Sequence, residues 1–133
     1  MNRKGTVKKR TRVTTSAPWA ATVGYSRAIR AGRRIWVSGT LAVAEDGGIA
    51  HKGDAYRQAQ RCLEIIVQAL RELDAGPEHV VRTRMFVTDA GLWQDVGRAH
   101  GEVFGGAMPA TTMVVVGLLD ADALVEIEAE AVL

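Results

Sequence analysis

The chain has 133 residues, with 17 Lys and Arg against 15 Asp and Glu, three His and one cysteine, Cys62. That length is one domain, able to bury about two-thirds of its unfolded surface without a disulfide or metal to hold it. A lone cysteine excludes an intrachain disulfide, no apolar run reaches the ~18 residues of a membrane span, and the basic N-terminus lacks the apolar region of a secretory signal, so the expected compartment is the cytoplasm.

The net charge of +2 conceals an asymmetry. Arg3, Lys4, Lys8, Lys9, Arg10 and Arg12 put six basic groups in the first 13 residues, which leaves 11 basic against 15 acidic groups in the rest, a net of −4. The expected organisation is a basic arm, residues 1–9, and a single domain, residues 10–133. Such an arm either touches nucleic-acid phosphates or is a frayed, solvated terminus.

Thr-Arg-Val-Thr-Thr within residues 10–15 predicts a first strand, and Ser16 to Val23, with Pro18 and small residues, predicts a loop. Tyr25 to Arg30 and Arg34 to Val37 flank Ala31-Gly32-Arg33 as the arms of a hairpin. Gly39 ends the second arm, where a missing side chain allows a ligand or another chain to approach the backbone. Asp54 to Asp74 is the best helix: Ala55, Ala59, Cys62, Ile66, Leu70 and Leu73 recur at steps of three or four, Asp54 caps the start, and Gly76-Pro77 stops the end. Cys62 lies in that apolar stripe and reads as a packing residue rather than a nucleophile.

Val80 to Val87 predicts a strand with Val81, Thr83, Met85 and Val87 on one face and Arg82, Arg84 and Phe86 on the other. A second helix follows over about Leu92 to Phe104, capped by Thr88 or Asp89. Gly97 and Gly101 cost it about 1 kcal/mol each against Ala, which suggests close packing on a sheet. Pro109 leads a β-branched strand through Val116. After a turn at Gly117 to Ala123, Val125, Ile127, Ala129, Ala131 and Leu133 alternate with Glu126, Glu128 and Glu130. Two one-sided helices cover one face of a mixed sheet; the other face then lacks a cover within the chain, and self-association is the simplest answer.

Several blocks, in order, resemble the RidA/YjgF family, also called the L-PSP endoribonuclease family. They are Tyr25-Ser26-Arg27-Ala28, Ile35-Trp36-Val37-Ser38-Gly39-Thr40, the strand Val80 to Val87 continued by Thr88-Asp89, Pro109-Ala110-Thr111-Thr112-Met113, and Val125-Glu126-Ile127-Glu128-Ala129. The resemblance covers all but about the first ten residues. It implies an α+β, chorismate-mutase-like fold in homotrimers, with clefts between subunits that take a small-molecule ligand. The activity it implies is hydrolysis of reactive imines or enamines to ketones and ammonia without a cofactor.

By the same resemblance, Glu126 orients the attacking water, Tyr25 lies near the cleft, and Ser38 and Gly39 face the ligand with their backbone. The arginine that anchors a substrate carboxylate follows Pro-Ala in the family; here that position is Thr111, as in the arginine-lacking subgroups. The cleft asparagine falls near Gly97, and a family cysteine is Met113. Arg84 is a candidate substitute anchor, able to reach a cleft carboxylate or to pair with Glu126. Each residue has a plainer reading: Glu126 as one solvated glutamate of three, Tyr25 as a packing aromatic, Ser38 as a turn ligand, Arg84 as a surface ion pair.

His51, His79 and His100 are not spaced with other ligands as a metal site requires, so no metal is expected, and no phosphate-binding or nucleotide-cofactor motif is present. Three functional readings follow. The first is an imine or enamine hydrolase working in intersubunit clefts. The second is a non-catalytic ligand-binding or regulatory trimer, consistent with loss of the arginine. The third is RNA cleavage, for which the basic arm is the only support; with an acidic body and 5% aromatic residues, nucleic acid is not the expected partner.

Overall fold

A computed structural model describes residues 9–133. The basic arm therefore lies outside the described residues, apart from Lys9. The elements run β1 (Arg10–Val13), α1 (Ala20–Val23), β2 (Ala28–Ala31), β3 (Arg34–Thr40), α2 (Ala55–Glu72), β4 (Val80–Val87), α3 (Trp93–Phe104), β5 (Ala110–Val115) and β6 (Val125–Val132), with 3₁₀ turns at Pro77–His79 and Ala90–Leu92. The segment expected to be a loop before Tyr25 contains one helical turn, α1, closed by Gly24 at φ 81°.

The strands form one six-stranded sheet in the order β1-β2-β3-β6-β4-β5. The β2–β3 hairpin turns through Gly32 at φ 62°, the positive value that the first central residue of a tight two-residue turn requires. The last two strands are not neighbours. β6 inserts antiparallel between β3 and β4, while β5 runs parallel to β4 after the α3 crossover. The alternation in β6 explains its central place: Val125, Ile127, Ala129 and Ala131 are all at most 3% exposed, facing the helical layer.

Asp54 caps α2 by accepting from the Arg57 N–H at 3.0 Å. Its far end closes without Gly76: Asp74 takes φ 64°, and the Ala75 N–H reaches back to the Leu70 carbonyl. Both helices lie on one sheet face, where Cys62, Leu63, Ile66, Leu70, Val96, Ala99 and Phe104 meet Ile35, Met85, Val87 and Ile127 in a single core. Cys62 is fully buried there, and burial pushes its thiol up to about 12, so it packs as expected.

Two expectations need correction. Val80, not Val81, faces the core: a bulge sets both residues against the partner strand before Arg82, leaving Val80 buried and Val81 47% exposed. Gly97 and Gly101 do not serve close packing within the chain, because a Cβ at either position meets no atom within 4 Å. They lie off the stripe of Val96, Ala99 and Phe104 that α3 buries.

Neither α2 nor α3 covers the opposite sheet face. Cross-strand register places Ile29, Trp36, Glu130, Arg82 and Ala110 in one row across it, Glu128, Arg84 and Thr112 in the next, and Glu126, Phe86 and Val114 in a third. Trp36 is 40% exposed, with Val114 and Val132 similarly open.

Candidate functional site

A second bulge, at Ser38-Gly39, builds the candidate site. Val37 pairs with Ala129 and Thr40 with Ile127, so two residues of β3 oppose Glu128 alone. The bulge is tied down locally: the Ser38 hydroxyl donates to the Ser26 carbonyl at 2.8 Å, and the Thr40 hydroxyl donates to the Ser38 carbonyl at 2.7 Å. Ser38 thus spends its side chain on the backbone ahead of β2, not on the turn that its plainer reading expected.

Gly39 is where the carboxylate of Glu126 comes to rest. A Cβ at Gly39 would stand 2.1 Å from Glu126 Oε2 and 3.1 Å from its Cδ. The missing side chain therefore admits an acid from the chain's own central strand. Glu126 is half-buried, and burial raises its pKa; nearby Arg27 opposes the shift and Glu128 adds to it. Among the described residues the Glu126 carboxylate has no side-chain hydrogen bond or ion pair.

Arg27 is the residue that sequence reading passed over. Its Nη2 donates to the Gly39 carbonyl, while its buried Nε has no partner among the described residues. Burial lowers its pKa, with Tyr25 and Glu126 acting against that shift. The guanidinium carbon lies 6.0 Å from the centre of the Tyr25 ring. In the sequence Arg27 stands out only as part of the Tyr25-Ser26-Arg27-Ala28 block, and an arginine near a hairpin does not by itself reveal burial.

Thr111 and Arg84 lie elsewhere. Register puts Thr111 on the helical side of the sheet, beside Thr83. Its hydroxyl is 2.7 Å from the Thr83 hydroxyl, which is in turn 2.8 Å from His100 Nε2. His100 stacks obliquely near Phe104 at 4.9 Å, and burial lowers its pKa. Arg84 contacts Glu130 at 3.0 Å and Glu128 at 3.4 Å rather than Glu126. One chain therefore brings Tyr25, Arg27, Gly39 and Glu126 together and leaves Thr111 on the other side of the sheet. Two grooves of the isolated chain lie along α2 and between α2 and α3, and neither is lined by these residues. Among the described residues no three His, Cys, Asp or Glu side chains cluster to hold a metal ion, and no helix is long and apolar enough to cross a membrane.

A mixed sheet covered on one face by two helices, with a half-buried acid seated at a bulge on its bare face, defines a small α+β protein of the YjgF type. The chain belongs to the Endoribonuclease L-PSP family, whose model matches residues 14–133. It is 39% identical over 121 residues to the uncharacterized protein SCO2049 of Streptomyces coelicolor, covering 90% of each chain. To the 3-aminoacrylate deaminase RutC of Acinetobacter baylyi it is 32% identical over 107 residues, 80% of this chain and 85% of that one. The crystal structure of Rv2704 from Mycobacterium tuberculosis, of the YjgF/YER057c/UK114 family, superposes with a TM-score of 0.83 at 39% identity, over 94% of this chain and all of that one. The YjgF gene product of E. coli gives 0.78 at 26% identity, over 92% and 98%.

Proposed function

We propose that this protein is a cofactor-free hydrolase of small reactive imines or enamines, working as a homotrimer with its sites in clefts between subunits. The observation that carries the reading is the Glu126 carboxylate, half-buried, biased toward protonation, and unpaired against the Gly39 bulge. An acid in that state suits general acid–base work near neutral pH. In the proposed reaction Glu126 orients a water and takes its proton as oxygen bonds to the imine carbon. Glu126 returns that proton to the imine nitrogen to give the carbinolamine; the hydroxyl proton then passes to the nitrogen as the C–N bond breaks, and ammonia leaves as the ketone forms. Tyr25 and the backbone at Ser38-Gly39 line the same position. The identity to a 3-aminoacrylate deaminase supports this reaction class.

Self-association has its own support. The bare face exposes Trp36, Val114 and Val132, and a single chain separates Thr111 from Glu126 by the thickness of the sheet. A cleft between chains is the arrangement that lets both line one ligand. Thr111 supplies a hydroxyl where the family resemblance expects a guanidinium, so carboxylate recognition must come from another residue. That same loss favours the second reading, a ligand-binding trimer without turnover.

The test is release of ketoacid from freshly generated 2-aminoacrylate-type imines, measured against a no-protein control. Release above the control, lost about 10²-fold or more in Glu126→Ala, is expected. No release by the wild type, or full release by the variant, rejects hydrolysis by Glu126.

A further inference from the structure

A small carboxylate bound beside Glu126 needs a cation, and the site offers one that the family resemblance does not assign. We propose that Arg27 is the anion anchor of this cleft and makes it select small carboxylates over their neutral analogues. The inference rests on reading Tyr25, Gly39 and Glu126 as one ligand site.

Three observations lead to Arg27. First, the other candidates are engaged: Thr111 is uncharged and bonded to Thr83 on the helical side, and Arg84 is shared by Glu128 and Glu130. Second, the Arg27 guanidinium is fixed at the bulge that seats Glu126. Nη2 holds the Gly39 carbonyl, and Glu126 is close enough to influence Arg27 without forming an ion pair with it. Third, most of its hydrogen-bonding capacity is unspent. Nε is buried without an acceptor, and among the described residues Nη1 has none either.

A guanidinium stays charged in proteins, and a half-buried one with a single acceptor among its five N–H donors is costly. A ligand carboxylate removes that cost, with Nη1 as the arm it meets. Arg27 and Glu126 then divide the ligand between them. The cation takes the carboxylate, and the acid faces the carbon that bears nitrogen. The Tyr25 ring walls the same side.

The test is calorimetric titration of the assembled wild-type protein with pyruvate and with its neutral analogue pyruvamide, repeated on Arg27→Met, Arg27→Lys and Arg84→Ala. Wild type is expected to prefer pyruvate. Arg27→Met should weaken pyruvate binding tenfold or more and pyruvamide binding far less, while Arg27→Lys, which keeps charge but loses the fork, should fall between. Should Arg27→Met fail to fold, Arg27→Lys and the pyruvate-induced shift of the Arg27 Nε–H resonance in wild type carry the test. Equal binding of the two ligands by wild type, wild-type pyruvate affinity in either Arg27 variant, or loss of discrimination in Arg84→Ala overturns the assignment. Imine hydrolysis is judged separately: discrimination through Arg27 without ketoacid release sinks hydrolysis and keeps the anchor. Undiminished hydrolysis in Arg27→Met does the reverse.

Discussion

Glu126 is one of three glutamates that the sequence makes equivalent, and the structure separates them. Glu128 and Glu130 share Arg84, whereas Glu126 faces a backbone with no Cβ. Because burial raises its folded pKa, any stability tied to this group is greatest below the unfolded value and is lost as pH rises through the folded one. Ionised Glu126 therefore opposes folding at neutral pH. Glu126→Gln should raise the melting temperature at pH 7 by roughly 1–3 °C, a small effect because solvent still screens the site, and the gain should vanish toward about pH 4. Thermal melts at both values check this; a pH-independent difference contradicts it. Cys62, pushed up to about 12 and fully buried, should not react with a thiol reagent in the native protein and should react once denatured. At this scale the sequence disclosed Cys62 through its helical spacing. It hid Arg27, whose burial depends on a bulge that alternation cannot reveal.

At the scale of elements, legibility followed periodicity. The β4 boundaries and the α2 stripe were readable because each repeats one period over many residues. Bulges break the period of two, so the face of Val81 was misassigned and the use of Gly39 was only partly foreseen. Strand order was not readable either, since insertion of β6 between β3 and β4 rests on contacts distant in sequence. Another contact of this kind is Gln58, fully buried on α2, which accepts from the Leu124 N–H and donates to the Asp122 carbonyl, fixing the turn before β6. The Ser38-Gly39 bulge makes a sharp prediction. The Cβ of Gly39→Ala would displace the end of a flexible side chain rather than backbone, so stability should change by about 1 kcal/mol or less. Turnover should fall nearly as far as in Glu126→Ala. Denaturant melts and kinetics on the same sample test it; a large stability loss, or normal turnover, contradicts the seating of Glu126 against Gly39.

For the whole molecule, the bare sheet face is the feature with the widest consequence. Two one-sided helices in the sequence already implied it, and the structure gives it content as rows of Trp36, Phe86 and Val114 among charged partners. Light scattering is expected to return three times the chain mass. Trp36→Lys, which replaces the largest exposed apolar side chain of that face with a solvated charge, should shift the protein toward monomer and reduce turnover in parallel. A monomeric wild type, or a dissociated variant with full turnover, contradicts intersubunit sites.

Whether an ionised Glu126 performs the hydrolysis is decided by the pH profile of ketoacid release. Glu126 must be deprotonated to take a proton from water, and burial raises its pKa above the ordinary glutamate value. Wild-type kcat/KM is predicted to fall on an acid limb centred above that value, and Glu126→Gln to lose both the limb and about 10²-fold or more of the rate. A flat profile through that range, or an acid limb that survives in Glu126→Gln, would rule out Glu126 as the base.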